Sequence, residues 1–327
     1  MLKKIVLLTL GLALALSACG RPPSGNEAAP LVPIKLPMGY IPNIQFAPMY
    51  VMIEKGFARA QGLDVQLEHN VRETDAVALL GAGELTFAVV SGEQVLLSRA
   101  QGVPVVYVAA WYQKYPVSVV AKAEQGIKSV ADLKGKTIGL PGLYGANYIG
   151  LEALLASAGL SDADVNLSSV GFTQVESLVT DQVQAVVGYA ANEPIQLRAQ
   201  GYDVTELRVG DFVHLASNGL VTNEKTLAEN PDLVRRMTKA FVQSLEYTIA
   251  HPDEAYEISK KYVEGLADLD EAVQKEILAV SIEFWQAERI GFSDMEAWKN
   301  MQSTLLIMSS YTEPVDLNAA FTNEFLP

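Results

Sequence analysis

Pro104-Val105-Val106-Tyr107-Val108-Ala109-Ala110 is an almost unbroken apolar run, opened by a proline and closed by the aromatic pair Trp111-Tyr112. The run is too short for a buried helix, and its β-branched and aromatic side chains favour a strand. A strand that is apolar on both faces belongs in a sheet covered on both sides. Towards the amino terminus, strands and helices alternate. Residues 34–38, 63–68 and 85–90 read as strands, and 46–55, 74–82 and 93–100 as helices, the first stopped by Gly56. That order predicts parallel strands joined by helical crossovers, a doubly wound α/β sheet.

Towards the carboxyl terminus the pattern restarts. Strands are expected at 117–122, 137–140, 166–170, 184–189 and 203–208, with helices at 129–134, 146–158, 173–180 and 193–200. Thr173 and Glu176 stand at capping-box spacing. Beyond Leu220 the chain turns helical. Asn230-Pro231 offers an N-cap followed by an N1 proline, and His251-Pro252 opens a further helix. Val234, Met237, Phe241, Leu245 and Thr248 or Ile249 recur at helical spacing and read as a core face.

The amino terminus carries Lys3 and Lys4, a 12-residue apolar run at 5–16, and then Leu16-Ser17-Ala18-Cys19-Gly20. A basic start, a short apolar core and small residues before a cut describe a secretory signal peptide. The run is too short for a membrane span, which takes roughly 20 residues. Leu-Ser-Ala-Cys looks like the bacterial lipobox, so Cys19 is expected to carry lipid and to hold the protein on the extracytoplasmic face of the cell membrane. Residues 21–33 are rich in Pro, Gly and Ala without apolar period and read as a flexible tether. The expected organisation is a signal peptide at 1–18, a lipidated tether at 19–33, a first lobe at 34–116 plus 222–327 with a helical tail, and a second lobe at 117–221. Crossings near Ala121-Lys122 and residues 217–222 would form a two-strand hinge, which lets a cleft open and shut.

Composition closes several classes of function. Cys19 is the only cysteine, so no intrachain disulfide can form and no thiolate remains for catalysis. Three scattered histidines (His69, His214, His251) lack metal-ligand spacing. No metal, cofactor or catalytic residue is therefore expected. With 24 basic and 38 acidic residues the formal net charge is −14, and loss of the signal peptide would remove two more positive charges. So acidic a chain is a poor partner for nucleic acid or for anionic lipid.

Open α/β sheets bind ligands beyond the carboxyl ends of their strands. The segments there hold Tyr40 and Asn43, Ser91 with Glu93 and Gln94, Trp111 and Tyr112, Tyr144 with Asn147 and Tyr148, and Tyr189 with Asn192 and Glu193. Aromatic rings with polar handles, amides and carboxylates without arginine suit a planar heteroaromatic ligand. Tyr40, Asn43, Ser91, Trp111, Tyr112, Tyr144, Asn147, Tyr148, Tyr189, Asn192 and Glu193 are the candidate ligand-binding residues. Some have local explanations. Ser91 and Gln94 fit a capping box, Asn192 fits an N-cap, and Glu193 fits a helix start favoured by the macrodipole. Residues 143–147 fit a tight turn. The glycines at 139–145 lack the Lys-Ser/Thr ending of a phosphate loop.

Three segments carry a family resemblance: Tyr40-Ile41-Pro42-Asn43 followed by residues 50–57, Asp132-Leu133-Lys134-Gly135-Lys136-Thr137-Ile138-Gly139, and Gly188-Tyr189 to Pro194. From about residue 34 to 300 the chain resembles solute-binding proteins of ABC importers, the family that includes sulfonate, nitrate, thiamine-pyrimidine and riboflavin binders. It is most similar to the riboflavin and thiamine-pyrimidine branch. The resemblance implies a two-lobed periplasmic-binding-protein-like fold, capture of riboflavin outside the cell and delivery to a membrane permease; a thiamine pyrimidine is the alternative ligand. A related eukaryotic enzyme makes the thiamine pyrimidine with a histidine in its Pro-Asn-x-x-His-type segment and a cysteine-rich iron site. Here Pro42-Asn43-Ile44-Gln45-Phe46 has no histidine and the cysteines are missing, which disfavours the enzyme. The lack of arginine in the strand-end segments points away from sulfonate or nitrate.

Overall fold

A computed structural model describes residues 30–327; the expected signal peptide, Cys19 and most of the expected tether lie outside the described residues. The tether ends earlier than expected, because Val32–Pro37 is already strand β1. Its Ile34 and Leu36 point inward while Pro33 and Lys35 stay exposed. The remaining strands are β2 (Leu63–Glu68), β3 (Ala88–Val90), β4 (Val105–Ala110), β5 (Val117–Lys122), β6 (Thr137–Leu140), β7 (Asn166–Ser169), β8 (Ala185–Tyr189), β9 (Val204–Arg208) and β10 (Gly219–Asn223). β4 is buried at all six positions, as its composition requires.

The strands make two halves with one plan. In the first, β1 pairs with β2, and β10 lies between β3 and β4. A parallel bridge from Met38 to Val89 joins the two pieces. In the second half the order is β7-β6-β8-β5-β9. The sheets are mixed, not purely parallel: β10 is antiparallel to β3 and β4, and β5 to β8 and β9. These two exceptions are the strands by which the chain arrives from the other half. Running in reverse, each places its amino end, Val117 or Gly219, beside the carboxyl ends of its neighbours. The crossings thus lie at 111–116 and 209–218. Ala121 and Lys122 sit within β5 and do not cross, and residues 219–221 pair in the first sheet.

The expected stripe of Val234, Met237, Phe241, Leu245 and Thr248 is the buried face of the helix Pro231–Ala250. With Trp285 of the helix Glu271–Trp285 it closes over Leu36, Met49 and Tyr50. Trp285 is fully buried, and truncating such a side chain typically costs about 3–5 kcal/mol. A second core runs from Val95 and Tyr107 to Val119, Ile138 and Leu154, and the helix Met295–Ile307 joins it through Trp298.

Local capping departs from expectation at several helix starts. Thr173 turns its hydroxyl back to the Val170 carbonyl at 2.7 Å, so its capping box does not form. Asn230 precedes the helix without a side-chain cap. Ser91 caps nothing either, because its hydroxyl donates to Glu73. Among the described residues no helix is long and apolar enough to cross a membrane.

Candidate ligand-binding site

The strand ends gather side chains from both halves into one crevice. Tyr40 follows β1 and meets Phe172, which follows β7, edge to face at 5.1 Å. Tyr112, after β4, meets Tyr189 at the end of β8 with ring centres 5.9 Å apart and planes at 86°. Trp111 packs against Phe46 and Tyr112 at 5.3 and 5.0 Å. The near-perpendicular Tyr40–Phe172 and Tyr112–Tyr189 pairs have a favoured aromatic geometry, whereas the Trp111 pairs are tilted by about 50°.

A polar chain crosses beneath the rings. The Tyr189 hydroxyl donates to Asn218 Oδ1 at 3.0 Å, and Asn218 Nδ2 donates to Glu73 Oε1 at 3.4 Å. Glu73 Oε2 accepts from the Ser91 amide at 3.0 Å and from its hydroxyl. The Asn218 carbonyl accepts from the Tyr107 hydroxyl and from the Trp111 and Tyr112 amides. Asn218 thereby pins one crossing to the other.

Two further carboxylates complete the crevice. Glu193 Oε2 accepts from the Tyr189 amide at 2.7 Å, and Oε1 from Asn192 Nδ2 at 3.0 Å. Asn192 stands at the expected N-cap position, but its side chain caps no backbone N–H and instead bridges Glu193 and Gln196. Glu93 is fully buried and neither carboxyl oxygen has a partner. Burial, reinforced by neighbouring Glu73, pushes its carboxyl up to about 8. Burial also raises Glu73 and Glu193, against the hydrogen bonds each accepts. Tyr40 is pushed up to about 12 by burial and by Glu193 across the crevice. Two buried donors, Gln45 Nε2 and Trp111 Nε1, have no partner. Buried polar groups are nearly always hydrogen-bonded, so each of these atoms has capacity for a partner.

Seven candidates meet here or border it: Tyr40, Ser91, Trp111, Tyr112, Tyr189, Asn192 and Glu193. Asn43 uses its side-chain oxygen to cap the turn Ile44–Phe46 through the Gln45 amide at 2.9 Å. Tyr144 is exposed and its ring lies over Gly142, where any side chain would collide with it. Asn147 is half-buried with an unpartnered carbonyl oxygen. Tyr148 lines a separate groove of 660 Å³ between the helices Gly145–Ser157 and Met295–Ile307, beside Glu152. Burial, then Asp162, pushes Glu152 up to about 7. Sequence reading passed over Glu73, Gln45, Phe172 and Asn218 as site residues. Glu73 and Phe172 follow β2 and β7, so the strand-end rule reaches them; Gln45 and Asn218 give no such signal.

Residues 43–255 match the family described as NMT1/THI5 like. The chain belongs to that family. Riboflavin-binding protein RibY of Chloroflexus aurantiacus is 38% identical over 99% of this chain and 98% of its own length. The formylaminopyrimidine-binding protein of Halalkalibacterium halodurans is 29% identical over 98% of each chain. Both of these relatives are named as binding proteins. The periplasmic aliphatic sulphonate binding protein SsuA of Escherichia coli superposes with a TM-score of 0.72 at 15% identity, covering 88% of this chain and 96% of that one. The expected two-lobed periplasmic-binding-protein-like fold is therefore the observed one.

Proposed function

We propose that this chain is the solute-binding component of an ABC importer, that it captures riboflavin outside the cell, and that it hands the vitamin to a membrane permease. A lipid on Cys19 would hold it at the membrane. The observation that carries the reading is the gathering of Tyr40, Trp111, Tyr112, Tyr189 and Phe172 at the strand ends, together with buried polar atoms of Glu93, Gln45 and Trp111 that lack partners. Flat rings offer stacking faces to an isoalloxazine, and Gln45 Nε2 and Trp111 Nε1 offer donors to its ring nitrogens and carbonyls. The full-length likeness to RibY supports the same ligand.

A thiamine pyrimidine is the second reading. Glu93 and Glu193 favour it, because carboxyl oxygens suit the exocyclic amine of an aminopyrimidine, and a relative named for formylaminopyrimidine binding points the same way. Chemical conversion of the ligand is disfavoured: Phe46 stands where the enzyme-type segment has histidine, and Cys19 is the only cysteine. Titrating riboflavin into the protein should quench flavin fluorescence, and the recovered compound should be unchanged. Binding of hydroxymethylpyrimidine with no flavin quenching would transfer the function to the second reading.

A further inference from the structure

We infer that the crevice excludes negatively charged ligands, so that the chain takes the vitamin and rejects its phosphate esters. The choice of flavin as probe rests on the proposed function, whereas the charge rule rests on the site. Anions bind at helix amino termini, where free backbone N–H groups and the macrodipole converge. Three helices begin at this crevice: Glu73–Ala82, Gly92–Ala100 and Glu193–Ala199. Each carries a carboxylate of the chain in its first turn, Glu73, Glu93 and Glu193 respectively. The backbone donors nearby are already used. The Ser91 amide donates to Glu73 and the Tyr189 amide to Glu193.

None of the three carboxylates is in a salt bridge among the described residues. Glu93 and Glu193 are buried, and both oxygens of Glu93 are orphaned. What remains unpartnered for a ligand is therefore neutral donors, Gln45 Nε2 and Trp111 Nε1, and carboxyl oxygens. An N–H or O–H edge of an uncharged ring satisfies those oxygens. A phosphate would place a dianion beside Glu73 and Glu193, whose oxygens already take the Ser91 and Tyr189 amides and bring no salt-bridged cation with them. Phosphorylated forms would reach this protein only after a phosphoester hydrolysis outside the cell.

Two matched pairs test the rule by calorimetry on the full-length protein: riboflavin against its 5′-phosphate, and hydroxymethylpyrimidine against its phosphate. In whichever pair binds, the ester should be weaker by about 100-fold or more, as expected for an anion taken out of water where no free backbone donor or cation meets it. Glu73→Gln and Glu193→Gln should each narrow that ratio by about tenfold, even where they weaken both ligands. Equal binding of riboflavin and its phosphate overturns the charge rule and leaves the flavin reading intact. Discrimination in the pyrimidine pair alone supports the rule and removes the flavin. A ratio unchanged in both folded variants overturns the assignment to these carboxylates.

Discussion

The carboxylate of Glu193 occupies the space that a side chain on residue 188 would need, and Gly188 is what lets it lie there. From that position it receives the Tyr189 amide at 2.7 Å. Gly188→Ala should push Glu193 out of the crevice. Overpacking of this kind costs about 1–3 kcal/mol. Urea unfolding of the empty protein should show that loss, and titration should show weaker ligand binding. Wild-type behaviour in both would mean that Glu193 has room to move and that its placement is not set by Gly188.

Glu93 makes stability fall with rising pH. An ordinary glutamate releases its proton near 4.5, and this one does so at about 8. Between those values the folded chain holds a proton that the unfolded chain has lost. The contribution is fully present below 4.5 and is lost as pH rises through about 8, at roughly 1.4 kcal/mol per unit at most. Raised pKa values at Glu73 and Glu193 act with the same sign. Thermal midpoints of the empty protein should therefore drop from pH 5 to pH 8.5. In Glu93→Gln the slope should be shallower, and an identical slope would remove Glu93 as its source.

Most of the fold was legible because it depends on local pattern. The strand at 117–122 and the helix face through Val234 and Phe241 follow from apolar periodicity alone. Strand direction was not legible. β5 and β10 are reversed by the route of the chain between halves, which leaves no mark in their composition. The site was half legible for a similar reason. Tyr40 and Tyr189 announce themselves as rings after strands, whereas Glu73 resembles any acid at a helix start until Ser91 and Asn218 are seen to donate to it. Ser91 shows the converse. A serine at an N-cap position normally bonds its own helix, but the half-buried carboxylate of Glu73 is the stronger acceptor.

Tyr189 joins the second half to the crossing through Asn218, so removal of its hydroxyl should loosen that link. Tyr189→Phe keeps the ring against Tyr112 and deletes one hydrogen bond of 3.0 Å. A loss of about 0.5–1.5 kcal/mol is expected in unfolding free energy. Ligand dissociation, followed by stopped flow, should be faster. An unchanged dissociation rate would place the link outside the closing of the crevice.

Replacing Cys19 by alanine should release the protein from the membrane or leave its precursor unprocessed, since the Leu-Ser-Ala-Cys sequence has no second cysteine to substitute. Membrane fractionation of cells expressing each form reads this directly. Unaltered association with the membrane would sink the lipid anchor.

Gln45 offers the sharpest separation between a residue that holds the fold and one that holds the ligand. It is buried, and its Nε2 has no partner. An unmade hydrogen bond of that kind costs about 1–3 kcal/mol, and an apolar side chain of similar shape removes the cost. Gln45→Leu should accordingly leave the empty protein as stable as the wild type or more so. If Gln45 donates to the bound ring, the same change should weaken binding by about 0.5–1.5 kcal/mol, the net worth of one neutral hydrogen bond. Stability up and affinity down cannot both come from a structural role. A variant that loses stability, or that binds as the wild type does, would show that the amide serves the turn at Ile44–Phe46 and not the ligand.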